Sequence, residues 1–291
     1  MQPDVFFLPV AATPTEDASQ RLCIHYAPQM DGVACVPLGL VLYIHPFAEE
    51  MNKSRRMAAL QSRALAQAGF AVLQIDLLGC GDSSGDFGDA TWERWINDVL
   101  VSYQWLLNKY AADSSKGVAP LWLWGLRAGC LLAVDAAKQI DELCNFLFWQ
   151  PPASGKPLLQ QFLRLKVAGD MLTGQSKGVM EGMRQQLASG SPVEIAGYMI
   201  APGLANGLER AALTPLAING RAPHVEWFEL STREDASLSP ISAKTVDTWL
   251  QAGCRINIHL VNGPAFWQTA DIEDAPLLIA ATTLALGRDT P

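Results

Sequence analysis

Short apolar runs alternate with helix-like patterns between residues 38 and 150, and this alternation restricts the fold more than any other feature of the chain. Each run has the length and continuous hydrophobicity of a strand that is buried on both faces of a sheet. Strands that alternate with helices form parallel βαβ units. We therefore predict an α/β fold with a mostly parallel central sheet, built from Leu38–His45, Ala71–Asp76, Pro120–Trp124 and Asn145–Trp149.

The alternation extends to both ends of the chain with one interruption. The pattern of residues 153–215 indicates two or three helices separated by Gly and Ser residues, without a clear strand. This predicts a helical cap insertion. The core would then consist of residues 1–152 and 216–291. The first two strands are expected to enter the sheet antiparallel, and the predicted strands outside the central block are Val5–Val10, Arg21–Ala27, His224–Leu230 and Arg255–Val261.

Composition and charge exclude several classes of protein. Apolar residue types make up 49% of the chain and charged types only 17%, against about 25% charged in an average globular chain. The net charge of -8 and the absence of a Lys/Arg block longer than Arg55–Arg56 argue against nucleic acid as a partner. The first ten residues lack the features of a signal peptide, and the most apolar run, Val118–Val134, is too interrupted for a transmembrane segment. We expect a cytoplasmic protein.

No residue pattern predicts a metal or a cofactor. The six cysteines are dispersed, without CxxC and without histidine at zinc-ligand spacing, which is typical of free thiols in a reducing compartment. The loop of residues 77–89 contains Gly79 and Gly81, but Ser84 stands where a dinucleotide-binding motif requires a third glycine. The sequence leaves the oligomeric state open.

The turn after the third predicted strand of the central block has the spacing of a nucleophile elbow. In such an elbow, G-x-S-x-G forms a strained strand-to-helix turn that exposes its middle side chain above the sheet. Here Gly125 and Gly129 flank Arg127. A guanidinium is always protonated and has no lone pair to offer, so Arg127 cannot be a nucleophile.

Four segments together resemble a known family. They are IHPFAEEMNKSRR, QIDLLGCGDSSGDF, LWGLRAG and NGPAFWQT, and they sample the chain from residue 44 to residue 269. On these motifs the chain resembles the α/β-hydrolase fold superfamily, and within it the exosortase A system-associated hydrolases of the second type. The resemblance implies a sheet flanked by helices on both sides, a helical cap over the carboxyl ends of the strands, and a genomic setting in bacterial exopolysaccharide and protein-sorting loci.

Carried onto this chain, the family's catalytic triad is incomplete. The loop after the strand that ends at Leu230 offers Asp235 as the acid. No histidine occurs from Leu260 to the end of the sequence, so the last loop offers no base. His259 lies within a predicted strand, on the same face as Asn257, and we interpret it as structural. A triad mechanism needs a base within reach of its nucleophile, so ordinary serine-hydrolase chemistry is not expected.

Two thiols remain as alternative nucleophiles. Cys130 lies three residues beyond Arg127, and Cys80 lies in the glycine-rich loop. A free cysteine is more often a small buried apolar residue than a nucleophile, so we favour the structural interpretation of both.

Arg127 is the main candidate for binding. An elbow would aim its guanidinium at a pocket beside Ala128 and the first N–H groups of the following helix, a combination that suits a carboxylate or a phosphate. His45, Phe47 and Trp267 are expected to line the same pocket. An apolar cap would then favour a small-molecule ligand that is anionic and partly apolar.

An ion pair is the competing interpretation of Arg127. A cation at a helix N-terminus is unfavourable unless an acid compensates it. The sequence offers Asp235, Glu234, Glu49 and Glu50 as partners. Two functions therefore stay open at this point. The chain is either a hydrolase or acyl-transfer enzyme with a degenerate triad, or a non-catalytic protein that binds an anionic or acyl ligand or a pathway partner.

Overall fold

The computed structural model describes residues 2–12, 17–111, 119–172, 178–217 and 220–288, with side chains omitted for residues 168–172. Among these residues the strands are β1 Asp4–Val10, β2 Ser19–Tyr26, β3 Gln29–Met30, β4 Val33–Ala34, β5 Leu40–Ile44, β6 Ala71–Ile75, β7 Leu121–Leu126, β8 Cys144–Trp149, β9 Val193–Ile195, β10 Tyr198–Ile200, β11 His224–Ser231 and β12 Arg255–Asn262.

One sheet of eight strands has the order β1-β2-β6-β5-β7-β8-β11-β12. β2 pairs antiparallel with both β1 and β6, and the strands from β6 to β12 pair in parallel. The predicted antiparallel entry and the predicted parallel centre are both confirmed. The strands β3 and β4 form a separate short hairpin that the sequence did not predict.

Helices cover both faces of the sheet. The described helices are α1 Glu49–Gln67, α2 Trp92–Tyr110, α3 Ala128–Ala137, α4 Lys156–Leu172, α5 Val179–Ala188, α6 Pro202–Arg210, α7 Pro240–Gln251 and α8 Pro276–Arg288. None of them has the length and apolarity needed to cross a bilayer.

The central strand β5 shows why the sheet holds two helical layers. Its residues are all apolar or aromatic and buried, and alternate side chains enter opposite cores. Leu42 lies in the core under α2 and α3, whereas Tyr43 lies in the core under α1 and α8. A strand of this kind is stable only between two layers, and the observed arrangement is the α/β architecture predicted from the sequence.

The segment between β8 and β11 differs in one respect from its prediction. It contains α4, α5 and α6, but it also contains β9 and β10, which pair with each other and not with the main sheet. The sequence of residues 153–215 has no clear strand pattern, so this separate hairpin was not predicted, whereas helices were predicted and are present. The two strands have three residues each and are joined at Ala196 and Gly197, both with positive φ, so their apolar alternation is too short to be recognised.

The apolar periodicity of the sequence predicts a helix from about Lys53 to Ala68, but helix α1 begins four residues earlier, at Glu49. Its N-terminal cap is Ala48, which has φ 50° and ψ -127° and whose side chain provides no capping hydrogen bond. The first turn instead carries Glu49 and Glu50, whose negative charges suit a helix N-terminus. The earlier start matters because it brings Glu50 to the edge of the sheet where the candidate site lies.

A buried carboxylate joins β11 to β12 near their amino ends. Glu226 is fully buried, and its Oε1 accepts hydrogen bonds from Nδ2 of Asn257 at 2.7 Å and pairs with Nε2 of His224 at 3.0 Å. Its Oε2 is bound by Nε2 of His259. Burial alone would raise the pKa of Glu226, but these hydrogen bonds outweigh burial and lower the pKa to about 2. His259 therefore has a structural partner, on the face that strand alternation predicts.

We expect this cluster to make folding stability depend on pH in acid. The folded-state pKa of Glu226 lies below its unfolded value, so the ionised carboxylate stabilises the fold above about pH 4.5, and this contribution is lost as the pH falls toward 2. The difference in unfolding free energy between the wild type and Glu226→Gln should be at most about 3 kcal/mol near pH 6 and should shrink in acid. Urea unfolding at several pH values measures it.

The exposed Glu234, in the loop that follows the same strand, provides the matched control. Glu234→Gln should change the unfolding free energy little at any pH in this range. A difference between wild type and Glu226→Gln that stays constant from pH 6 to pH 2.5 would contradict the assignment of the low pKa to Glu226.

Candidate functional site

The turn between β7 and α3 has the backbone of a strained elbow. Arg127 has φ 54° and ψ -117°, a conformation that residues other than glycine rarely adopt. Its backbone N–H donates to the carbonyl oxygen of Trp149 at 3.0 Å, and α3 begins at the next residue, Ala128. The elbow predicted from the glycine spacing is therefore present, at the carboxyl edge of the parallel strands.

Both flanking glycines are required by close backbone approach. A Cβ atom at Gly125 would lie 2.4 Å from the backbone nitrogen of Cys130. A Cβ atom at Gly129 would lie 2.2 Å from the carbonyl oxygen of Ile44. Since rigid backbone occupies both directions, only glycine allows α3 to begin directly above β5 and β7.

The Arg127 side chain connects three segments of the chain. Its Nη2 donates to Oε1 of Glu50 on α1 at 3.1 Å and to Oε1 of Gln161 on α4 at 3.2 Å, and its Nε lies 3.3 Å from the same oxygen of Glu50. Its guanidinium carbon lies 5.8 Å from the centroid of the Trp267 ring, within the range of a cation–π contact. The guanidinium thus joins α1, the inserted segment and the loop after β12.

Glu50 is the acid that compensates Arg127. The two side chains are 15% and 20% exposed, for Arg127 and Glu50 respectively. Burial raises the pKa of Glu50 above its usual value, against the lowering effect of the nearby guanidinium. The pairing also places the negative charge between two helix N-termini, since Glu50 lies in the first turn of α1 and Arg127 caps α3.

Asp235 lies elsewhere. It stands on an exposed turn after β11, where its carboxylate forms an ion pair with Arg233 at 3.3 Å, and both side chains are largely exposed. Of the four acids that the sequence offers to Arg127, the structure therefore joins Glu50 to it, whereas Glu49 accepts a hydrogen bond from the Tyr198 hydroxyl at 2.9 Å. Arg127 and Asp235 therefore do not form an ion pair in the described part of the structure.

Both ring nitrogens of His45 are hydrogen-bonded to backbone groups. Its Nδ1 donates to the carbonyl oxygen of Pro46 at 2.7 Å, and its Nε2 accepts from the backbone N–H of Leu77 at 3.3 Å. Burial lowers the pKa of His45, which favours the neutral ring that these two bonds require. The imidazole therefore holds the β5 and β6 loops together, and both of its nitrogens are occupied.

Aromatic side chains fill the space beside the elbow. Phe47 is 6% exposed and packs edge-to-face on Phe87 and on Phe162 of α4, with ring centroids 5.4 and 5.1 Å apart. Tyr198 of β10 contacts the ring of Phe87 at 5.1 Å. Together with the hydrogen bonds of Gln161 and Tyr198, these contacts hold the inserted segment on the core.

Trp267 lies under Arg127 rather than over an open pocket. It is 4% exposed, and it packs edge-to-face on Phe266 at 5.2 Å. Its indole N–H is buried and has no hydrogen-bond partner among the described residues. The hydroxyl of Tyr43 and the indole N–H of Trp124 are likewise buried without a partner among the described residues, although most buried donors have one.

The two candidate thiols are buried. Cys130 is inaccessible to solvent, its Sγ lies 3.2 Å from the carbonyl oxygen of Gly125, and burial raises its pKa well above the usual value. Burial likewise raises the pKa of Cys80, with a further contribution from Asp76. A nucleophilic cysteine needs a lowered pKa and access to its substrate, and neither thiol has them.

The hydroxyl groups of the nearby serines are hydrogen-bonded to backbone groups. Ser83 is buried and its Oγ donates to the carbonyl oxygen of Asp76 while it accepts from the N–H of Leu22. The Oγ of Ser84 accepts from the N–H of Gln20. Within the described part of the chain around the elbow, no serine, threonine or cysteine side chain is hydrogen-bonded to a histidine or to a carboxylate, whereas covalent acyl transfer requires a nucleophile in contact with such a base.

We therefore expect the protein to remain unlabelled by fluorophosphonates, because these reagents need an activated hydroxyl and the elbow carries a guanidinium. Hydrolysis of p-nitrophenyl esters should stay at the background rate. Intact-mass spectrometry after incubation with the probe measures labelling, with an ordinary serine esterase as the positive control. A mass adduct located by peptide mapping at Ser83, Ser84 or Cys130 would overturn this expectation.

Some residues of the site were beyond sequence reasoning. Gln161 and Tyr198 belong to the inserted segment, and the sequence does not indicate which surface either residue contacts. Phe162 was recognisable as part of an apolar stretch that either packs on the sheet or lines a pocket. Glu50 was recognisable only as one acid among several, because its selection depends on the early start of α1.

The comparisons with known proteins support the fold and little more. No protein-family model matches the chain. The human protein ABHD12B is 32% identical over 128 residues, which cover 44% of this chain and 31% of that protein. The uncharacterized protein RP471 of Rickettsia prowazekii is 26% identical over 118 residues, which cover 40% of this chain and 46% of that protein. The chain thus spans less than half the length of these curated relatives.

Solved structures match over almost the whole chain. Est1E from Butyrivibrio proteoclasticus with bound ferulic acid has a TM-score of 0.64 at 15% identity and covers 97% of each chain. A soluble variant of monoglyceride lipase from Saccharomyces cerevisiae, in complex with a substrate analog, has a TM-score of 0.63 at 15% identity and covers 100% of this chain and 97% of that one. At this level of identity the similarity concerns the fold, and together with the sheet order and the elbow it establishes that this chain has the α/β-hydrolase fold.

Proposed function

We propose that this chain is a non-catalytic protein of the α/β-hydrolase fold that binds a small amphiphilic anion, a carboxylate or a phosphate with an apolar tail. Arg127 would bind the anionic head, and the aromatic residues beneath the inserted segment would contact the tail. The observation that carries the proposal is the guanidinium at the nucleophile position of a backbone that keeps the elbow conformation.

The surroundings of Arg127 suit an anion. The guanidinium stands at the N-terminus of α3, where the first backbone N–H groups have no partner within the helix. In this structure the carboxylate of Glu50 binds the guanidinium, in the position that we propose for the carboxylate or phosphate of a ligand. Burial raises the pKa of Glu50, so a ligand carboxylate that takes its place on the guanidinium must bind strongly enough to offset the cost of leaving Glu50 without this partner.

The indole N–H of Trp267 supports the same assignment. It is buried beside the guanidinium and is without a partner in the described part of the chain. A carboxylate or phosphate has more acceptor sites than Arg127 alone can satisfy, so a second donor nearby would add both affinity and orientation.

We infer that residues 153–215 act as a cap that covers the tail of the ligand, with residues 1–152 and 216–291 as the core. Phe162 and Tyr198 reach from this segment onto Phe47 and Phe87 of the core. Entry of a ligand requires the cap to give up the hydrogen bond of Gln161 to Arg127 and those aromatic contacts. The apolar surface that becomes available in this way matches a flexible acyl chain.

The motif resemblance described above supports a more specific setting. We infer from it that the chain is an exosortase A system-associated hydrolase of the second type, with a cytoplasmic role in bacterial exopolysaccharide or protein-sorting loci. The anionic ligand would then be an acyl or phosphorylated intermediate of such a pathway.

A hydrolase or acyl-transfer role is the second candidate. It is favoured by the strained backbone at Arg127, which a purely structural turn would not require, and by the fold similarity to an esterase and a lipase. It would require a nucleophile that moves toward the elbow when the cap opens. Turnover of esters or thioesters under conditions that open the cap would favour this candidate over the first.

Binding of dodecanoate, with dodecanol as the uncharged probe of equal length, tests the proposal. Arg127→Ala should weaken dodecanoate binding about 10- to 100-fold, because a hydrogen bond to a charged group contributes about 1.5 to 3 kcal/mol, and it should leave dodecanol binding nearly unchanged. Isothermal titration calorimetry measures both affinities.

Arg233→Ala is the matched control, since Arg233 is an exposed arginine with an acidic partner of its own. It should bind dodecanoate as the wild type does. Equal affinity of Arg127→Ala and wild type for dodecanoate, or failure of the wild type to distinguish the two probes, would refute the proposed role of Arg127.

A further inference from the structure

The outer face of α8 is apolar over its whole length. Leu277 and Leu284 are 57% and 56% exposed, and Ile272, just before the helix, is 69% exposed. Ala280 and Gly287 are also exposed on this face. A helix on the surface of a globular protein normally presents charged or polar residues to water, so a continuous apolar face of this kind is typical of an interaction surface.

A groove runs along this face between α8 and α1. It has a volume of about 670 Å³, and its walls include Ala64 of α1 and Ala280, Leu284 and Gly287 of α8. Small residues along a groove let a second helix approach closely, and exposed leucines can interdigitate with those of a partner. The face therefore has the shape of a helix-packing surface.

Charge is distributed unevenly along the helix. The exposed acids Asp271 and Glu273 precede its N-terminus, and Arg288 ends it. A helix of 13 residues is about 20 Å long. If a second copy of α8 lies antiparallel to the first about a two-fold axis, each Arg288 meets the acidic residues of the other copy, and the two apolar faces coincide. Such a contact is isologous, so both charge pairs form at once.

We propose that the α8 face, defined as Ile272, Leu277, Ala280, Leu284 and Gly287 with its charged ends, is the surface through which two copies of this chain associate. An anionic membrane fits the same face less well, because Arg288 is the one basic residue defined as part of it, acids lie at its other end, and the chain has a net charge of -8, whereas adsorption to anionic lipid depends on basic residues. The proposal is independent of ligand binding at Arg127, which lies at the carboxyl edge of the sheet.

Sedimentation velocity of the full chain over a range of concentrations tests this association. We expect a dimer in the micromolar range, and Leu284→Glu should make the chain monomeric at the same concentrations, because it places a charge in the centre of the apolar contact. Ile241→Glu, at a 67% exposed isoleucine on α7, is the matched control and should leave the dimer unchanged. Circular dichroism verifies that each variant is folded.

Charge reversal tests the antiparallel arrangement. Arg288→Glu should weaken the dimer about tenfold, and a chain that also carries Glu273→Arg should recover most of the lost affinity, because the reversed pairs attract again. Flotation with vesicles of phosphatidylglycerol and phosphatidylcholine completes the experiment. A wild type that stays monomeric at a protein concentration of about 100 μM would overturn the proposal. So would a wild type that binds vesicles through Leu284 without forming dimers.

Discussion

Replacement of Gly129 by alanine is expected to destabilise the protein by about 3 kcal/mol or more. The added methyl group would lie 2.2 Å from the carbonyl oxygen of Ile44 and 2.9 Å from that of His45. Both atoms belong to the backbone at the end of β5, so the clash cannot be relieved by a side-chain rotation. Either α3 must move away from the sheet or the elbow must change its conformation.

Gly182→Ala is the control for this substitution. Gly182 lies inside α5, where no atom comes within 4 Å of the added methyl group. There alanine should stabilise the helix by about 0.5 to 1 kcal/mol, because it has the higher helix propensity. Urea unfolding followed by tryptophan fluorescence measures both variants. A Gly129→Ala variant as stable as the wild type would mean that α3 does not approach β5 as closely as described.

Removal of the Arg127 guanidinium should have the second-largest effect. Arg127→Ala leaves the Glu50 carboxylate without its partner in a poorly hydrated position, which we expect to cost about 2 to 3 kcal/mol of unfolding free energy at pH 7. This value is below the 3 to 5 kcal/mol typical of a fully buried pair, because both side chains retain some exposure. Chemical unfolding of the single and double variants measures the effect.

The second substitution identifies the partner. Glu50→Gln in the Arg127→Ala background should restore most of the lost stability, whereas Asp235→Ala should restore none, because Asp235 is exposed and paired with Arg233. The loss caused by Arg127→Ala should also shrink as the pH falls toward about 4.5, because burial raises the pKa of Glu50 and an unpaired Glu50 then takes up a proton. Rescue by Asp235→Ala alone would contradict the observed pairing.

The fold was predictable because its signals are local and repeated. The buried strands β5, β6, β7 and β8 are almost entirely apolar, and such runs are stable only between two helical layers. The elbow was predictable because the positions of Gly125 and Gly129 reflect backbone contacts that no other residue permits. The start of α2 was predictable for the same reason, because a threonine before an apolar-periodic run is a capping signal, and the Thr91 hydroxyl accepts a hydrogen bond from the N–H of Arg94.

The partners within the site were not predictable in the same way. Arg127 and Glu50 are 77 residues apart, and several acids follow other strands at the same edge of the sheet. The choice among them depends on where α1 begins, and Ala48 gives no capping signal in the sequence. Gln161 contacts Arg127 only because α4 folds back over the core. The hydrophobic periodicity of a sequence does not indicate which segment packs on which.

The hydrogen-bonded cluster around Glu226 contains one feature that was predictable from the sequence and one that was not. Strand alternation placed His259 and Asn257 on one face, and the structure confirms this. The shared partner Glu226 belongs to the neighbouring strand β11, and its burial depends on the register between the two strands, in which Glu226 lies opposite Asn257. Register is a property of the pair of strands and is not readable from either one.

The position of a bound anion tests the proposed function most directly. A crystal structure of the chain with dodecanoate should place the carboxylate oxygens about 3 Å from the Arg127 guanidinium, with the Glu50 carboxylate displaced from it and the tail beside Phe47 and Phe162. Dodecanoate bound elsewhere while the Arg127–Glu50 pair stays intact, or an acyl group covalently attached to Cys130 or Ser83, would contradict the assignment of this site as a non-covalent anion receptor.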